Sequence, residues 1–275
     1  MPTTCLNCGT EITPHQNFCP TCGQKAETPR ITFSYLAREF LLVFLHNDKG
    51  LINLIKRLAV DPGGVATDYA EGRRKRYFNP FGFLTICIAL SFPIYLLVKP
   101  ELDLPQPEFE NLQRIPADLQ LLALDAKDRA QAVQHFFNKN INFISVFVAP
   151  YFAFMLWLFF RNRKRNIAEI TLAYILFIGF GNIISVVIFY PLMAIFKSPE
   201  SFSALIWISM FAQIGYDAWG MKKFFQYKTA GGYIKVLSVL LLAGFIGLII
   251  ILIFLFFYVY HGSTELLYYL SQPAT

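Results

Sequence analysis

Apolar residues in this 275-residue chain follow two patterns. After residue 80 they form long runs, at about 81–98, 141–160, 168–193, 202–220 and 236–260. Even the shortest, 18 residues, extends about 27 Å as a helix, enough for a hydrocarbon core of about 30 Å once flanking anchors are added. Before residue 80 the apolar positions instead recur at helical spacing among charges. Phe33, Leu36, Ala37, Phe40, Leu41, Phe44 and Leu45 make one stripe, with Arg38 and Glu39 off it. Leu51, Leu54, Ile55 and Leu58 make another, with Lys56 and Arg57 facing away. These helices are too short and too polar to cross a bilayer, so they are expected on its surface or against the other helices.

Local signals mark the ends. Asp48 before Lys49-Gly50 and Asp61 before Pro62 read as N-caps, and Gly72 reads as a helix stop. The spacing predicts an all-α polytopic membrane protein of about five transmembrane helices. Residues 31–79 supply amphipathic interfacial helices, 80–262 the membrane domain, and 263–275 an external tail. Between the first two spans, residues 100–140 are expected to form a proline-rich hook (Pro100, Pro105, Pro107 and Pro116) and then a helix carrying Leu119, Leu122, Ala126, Ala130, Val133 and Phe137. Pro93, Pro150 and Pro191 fall in or near spans, where each removes a backbone donor and is expected to kink its helix.

Composition agrees with lipid as solvent: 55% of residues are hydrophobic and 15% charged, and the mean hydropathy is +0.46. The formal net charge of +6 is gathered beside the spans rather than spread over a nucleic-acid-binding face. Arg73, Arg74, Lys75 and Arg76 precede the first span, Arg161, Arg163, Lys164 and Arg165 follow the second, and Lys222, Lys223, Lys228 and Lys235 separate the last two. The 100–140 segment is acidic by contrast. Under the positive-inside bias the amino terminus is expected in the cytoplasm and the carboxyl terminus outside. Met1 is not followed by a basic and then apolar run, so the first span is expected to act as the insertion signal.

Residues 1–26 are a separate module. Cys5-x-x-Cys8-Gly9 and Cys19-x-x-Cys22-Gly23 are two knuckles in which a two-residue gap lets both thiolates reach one metal and glycine permits the tight turn behind them. Cys5, Cys8, Cys19 and Cys22 predict a zinc ribbon with a closed, structural zinc shell, leaving His15 as a loop residue. So short a segment buries little core, and metal binding is expected to supply its folding energy.

Polar groups within the spans are few. Asn182, beside Gly179 and Gly181, reads as an interhelical hydrogen bond, and Asp217 as the partner of Lys222 or Lys223. Together they are also the candidate intramembrane site of a transporter or channel. Asp48, Lys49, Asp68 and Arg74 are the candidate interfacial site of an enzyme acting on lipid head groups. Caps and topology signals already account for most of these residues, so the pattern points away from an enzyme. The expected partners are membrane lipids and a cytoplasmic protein bound by the ribbon; a nucleic acid is disfavoured, and a homo-oligomer stays open.

Several motifs carry a resemblance: Cys5-x-x-Cys8-Gly9, Phe18-Cys19-Pro20-x-Cys22-Gly23-Gln24, Arg30-Ile31-Thr32, Asp48-Lys49-Gly50, Pro62-Gly63, Tyr69-x-x-Gly72-x-Arg74 and Tyr77-x-x-Pro80. In these the chain resembles a family of bacterial membrane proteins of unknown function found especially in Bacteroidota. The resemblance covers about the first third and implies a polytopic inner-membrane protein without assigning an activity. In topology alone the chain is similar to five-span membrane proteins with a cytosolic amino terminus that act in membrane trafficking or organisation.

Overall fold

The computed structural model describes residues 4–13, 15–36, 50–98, 115–196 and 198–270, without the side chains of 138–147, 199, 267, 269 and 270. Eight helices are labelled within them: α1 Leu51–Val60, α2 Pro62–Ala70, α3 Pro80–Val98, α4 Ala117–Phe159, α5 Ile167–Ile195, α6 Pro199–Phe224, α7 Ala230–Tyr258 and α8 Thr264–Leu270. No strand longer than an isolated bridge occurs among the described residues. The chain divides into two compact units, one of residues 1–99 and 145–241 and one of 100–144 and 242–275.

In the first unit, local chemistry sets the helix ends. Asp61 caps α2, its carboxylate accepting the Gly64 N–H at 2.9 Å. At the far end Gly72 turns left-handed, φ +92°, and two crossed bonds close the helix: Gly72 N–H to the Tyr69 carbonyl at 3.3 Å and Arg73 N–H to the Asp68 carbonyl at 2.8 Å. α1 buries Leu54 and Leu58 completely while Lys56 and Arg57 stay exposed. Residues 33–36 begin a helix behind Thr32, and the stripe from Ala37 to Leu45 lies outside the described residues.

α3 packs along α5, and α2 along α6. Two glycines allow the second approach. A Cβ on Gly63 would strike the Gly220 carbonyl and Lys223, and one on Gly220 would come within 2.6 Å of the Phe177 ring. The core holds Leu54, Phe83, Leu172, Phe177, Phe224 and Phe225, among others. Pro93 and Pro150 lie inside α3 and α4. α5 widens to a π-helical turn at Ser185–Phe189 just ahead of Pro191. A ring at 191 lacks a donor and crowds the carbonyl four residues back, and the wider turn makes room for both.

Among the described residues three helices are long and apolar enough to cross a membrane: Pro80–Val98, Ile167–Ile195 and Ala230–Tyr258. The other two expected spans are helical. In α4 the side chains of 138–147 lie outside the described residues, and the apolar stretch that is described is Val148–Phe159; α6 carries Glu200, Asp217, Lys222 and Lys223.

The second unit gathers Ile115, Ala123, Ala126, Val259 and Leu266 into a small core, with Leu119, Leu122, Ala130 and Val133 against it. The proline hook lies outside the described residues apart from Pro116. Residues 264–270, expected as part of a loose tail, instead form α8: the Ser263 hydroxyl accepts the Leu266 N–H at 3.1 Å, and Leu266 is fully buried.

Candidate metal centre and its attachment

Each knuckle closes by the same two bonds. The Gly9 N–H donates to the Cys5 carbonyl at 2.8 Å and the Cys5 N–H to the Thr10 carbonyl at 2.8 Å; Gly23 with Cys19, and Cys19 with Gln24, repeat them at 2.9 and 2.8 Å. Gly9 and Gly23 sit at φ +79° and +70°, a left-handed turn that only glycine adopts without strain. The turns bring the four Sγ atoms within 4.8 Å of one another, with Cys5 to Cys22 at 3.7 Å and Cys8 to Cys19 at 3.6 Å. Sulfurs about 2.3 Å from a shared zinc in a tetrahedron are roughly 3.8 Å apart. The donor set therefore fits a tetrahedral thiolate-binding ion, and the four cysteines could hold a metal. Burial pushes the metal-free Cys5 thiol up to about 11, whereas the Thr10 hydroxyl and N–H hold Cys8 down to about 6. The Thr10 hydroxyl also lies 3.1 Å from the Thr21 hydroxyl, joining the knuckles.

The module is bolted to the helices through the basic run. The buried Gln24 side chain accepts the backbone N–H groups of Arg74 at 3.2 Å and Lys75 at 3.3 Å. Arg76 donates to the Asn7 carbonyl at 2.8 Å and to Asn7 Oδ1 at 3.2 Å. Arg74 donates to the Pro29 carbonyl at 2.7 Å and the Tyr69 carbonyl at 3.1 Å, with its guanidinium 4.5 Å from the Tyr35 ring centre. A Cβ on Gly72 would meet Thr28 and Leu6, so this glycine serves close approach as well as the turn.

A second bolt fixes the linker after the ribbon. Arg30 Nε donates to Glu169 at 2.7 Å and its Nη2 to the Lys164 carbonyl at 2.8 Å, while Asn166 Nδ2 donates to the Ile31 carbonyl at 2.8 Å. Glu169 is only 4% exposed and completes a capping box with Asn166 at the start of α5. Asn166-x-x-Glu169 is a readable capping signal, but nothing local marks Arg30 as its partner.

Of the interfacial candidates only Asp68 and Arg74 are described, and they hold different partners. Asp48 and Lys49 lie outside the described residues. Asp68 accepts from Arg73 at 2.8 Å and from the Tyr77 hydroxyl at 2.7 Å, whereas Arg74 serves Pro29 and Tyr69. Asp68 instead borders a cleft of about 340 Å³ with Arg57, Asp61, Thr67, Lys223 and Gln226. Within the helices, Asn182 ties α5 to α3: its Oδ1 accepts the Ser91 hydroxyl at 3.2 Å, and its Nδ2 donates to the Ile178 carbonyl at 3.0 Å. Asp217, 2% exposed, accepts Gln213 Nε2 at 2.7 Å and a hydrogen bond from Tyr174. The expected ion pair with Lys222 or Lys223 is replaced, because Lys223 reaches Asp61 at 2.5 Å and Asp217 faces α5.

Residues 48–92 match a family model described as a protein of unknown function, DUF3667. The match takes in Asp48-Lys49-Gly50 and the basic run, stops short of the four cysteines, and supplies Arg57, Asp61, Thr67 and Asp68 of the cleft. No curated protein and no solved structure matches the chain.

Proposed function

We propose that this chain is a non-enzymatic scaffold or sensor of a bacterial inner membrane, with its amino terminus in the cytoplasm. Its four cysteines hold a structural zinc, and its ribbon binds a cytoplasmic protein. The observation that carries this reading is the clamp of Gln24 and Asn7 on Arg74, Lys75 and Arg76, the residues that lead directly into α3. A ribbon held there is a rigid platform at the membrane entry, and a change at the metal is passed to the first span through backbone bonds. Five spans are part of the proposal. Exposed Phe154, Leu158 and Phe159 in α4 and exposed Trp207, Ile208 and Phe211 in α6 support lipid contact at these two spans, and the cation clusters then fall on one side.

The test has two arms. Elemental analysis should find one zinc per chain, lost in the Cys5→Ser/Cys19→Ser variant. A photo-crosslinker at Phe18, 55% exposed on the ribbon, should capture a discrete protein in cells, and that adduct should vanish in the same variant. An adduct indifferent to zinc loss sinks the sensor reading; unlabelled ribbon in every growth condition sinks the scaffold.

A second reading, a transporter or channel for an ion or small solute, draws on Asp217, a buried carboxyl held by Gln213 and Tyr174. Buried ionisable groups in membrane helices commonly mark pathways. Flux through reconstituted protein that stops in Asp217→Asn would favour it. The head-group enzyme draws no support from Asp68 and Arg74, which address different partners; Asp48 and Lys49 lie outside the described residues.

A further inference from the structure

The cleft beside α2 has a charge pattern that helix packing does not explain. Two cations, Arg57 and Lys223, and two carboxylates, Asp61 and Asp68, border it together with the Thr67 and Gln226 side chains. Three of the charges are satisfied inside the protein. Lys223 meets Asp61, and Asp68 takes Arg73, Arg76 and the Tyr77 hydroxyl. Arg57 differs: its guanidinium hydrogen-bonds a neutral phenol, that of Tyr77, and among the described residues no carboxylate forms an ion pair with it. A guanidinium has five donors in a planar fork suited to phosphate oxygens. Each carboxylate has about four acceptor positions, and Asp61 uses two of them, for Gly64 N–H and Lys223. The cleft thus offers cationic donors beside the spare acceptor positions of Asp61.

We propose that this cleft binds a zwitterionic phosphate-and-amine group, a phosphoethanolamine, with the phosphate matched to Arg57 and Lys223 and the amine to Asp61. A purely anionic head group would leave the spare acceptor positions of Asp61 without a donor, and an uncharged one would leave Arg57 without an anionic partner. The location fits a lipid source, since α2 leads into the basic run that precedes α3 and Lys223 sits in the last turn of α6. This inference rests on the membrane reading and is independent of the ribbon's role.

The full chain, exchanged into vesicles of equal phosphatidylethanolamine and phosphatidylglycerol and examined by native mass spectrometry, should retain the ethanolamine lipid in about fivefold excess. Arg57→Gln should abolish the excess and Arg57→Lys should keep part of it. Equal retention of both lipids, or an excess unchanged in Arg57→Gln, overturns the proposal. Should Arg57→Gln fail to fold, Lys223→Gln, which alters an exposed side chain, takes its place with the same expected loss. Soluble phosphoethanolamine added to the wild-type complex identifies the source: displacement of the lipid assigns recognition to the head group alone, and an unchanged lipid excess assigns it to the membrane-bound form. Zinc content should not change in any arm, which separates failure here from failure of the ribbon's function.

Discussion

The ribbon and the helical core of the same unit are ordered by different means. Among the described residues the ribbon's buried apolar side chains are Cys5, Ile12, Cys19 and Ala26, with Cys22 against them. The helical core stacks fully buried Phe83, Phe177, Phe224, Leu54 and Leu172 over four helices. Apolar burial at about 25 cal/mol per Å² can hold the second but not the first. The ribbon therefore depends on what its thiolates bind and on the bolts that join it to the basic run and to α5. A helix bundle carries its own stability, while a small metal module borrows its stability from a ligand and a neighbour.

The largest expected effect breaks the comparison most directly. Replacing Cys5, Cys8, Cys19 and Cys22 by serine, or chelating the metal, removes a binding energy on the order of 10 kcal/mol. Amide exchange through residues 4–26 should rise to the unfolded rate while α3 and α5 keep their protection; loss of protection in both regions would show that the core also depends on the metal. The opposite experiment is Gly220→Val, which forces a branched side chain into the Phe177 ring. It should destabilise the helices by roughly 1–3 kcal/mol, read as a lower melting temperature in detergent with zinc content unchanged.

Gln24→Ala addresses the joint itself. It removes the acceptor of the Arg74 and Lys75 N–H groups and should cost about 1–2 kcal/mol. Faster exchange at those two amides, with metal retained, would locate the effect at the bolt. The smallest effect is a pH dependence. Burial alone would raise the Asp61 carboxyl, but Lys223 and the Gly64 N–H outweigh it and hold the group below its ordinary 3.8. A depressed carboxyl contributes stability above its unfolded value and loses it as pH falls through the folded one. The difference in melting temperature between wild type and Asp61→Asn should therefore be flat from about pH 7 to pH 5 and shrink below about pH 4. A difference that instead grew on acidification would refute the pairing with Lys223.

Signals confined to a few neighbouring residues were legible. The Cys-x-x-Cys-Gly spacing foretold the clustered thiols, Asp61-Pro62 the start of α2, Gly72 its end, and the Leu51–Leu58 stripe the buried face of α1. Among the described residues three helices meet a length-and-composition standard for crossing a membrane; of the other two expected spans, α4 has its 138–147 side chains outside the described residues and α6 carries charges at both ends. The basic run reads as a topology signal, and nothing in Arg73-Arg74-Lys75-Arg76 discloses that its backbone and side chains grip Gln24, Asn7 and Pro29. Asp217 was misassigned to a neighbouring lysine because helical spacing reports what lies on one face of a helix, not which other helix that face meets. Residues 264–270 looked like a tail because a single short helix carries too little periodicity to stand out.

The sequence by itself determined the helical periods, the caps and stops, the apolar character of three spans and the spacing of a four-thiol site, all of which are settled within about ten residues by backbone geometry and side-chain type. Only the tertiary structure decided which distant groups satisfy one another: Gln24 with Arg74 and Lys75, Arg30 with Glu169, Asp61 with Lys223, Ser91 with Asn182. Those pairings depend on the path of the whole chain. A buried polar or charged group must find a partner, and which partner is available is set by how the helices pack.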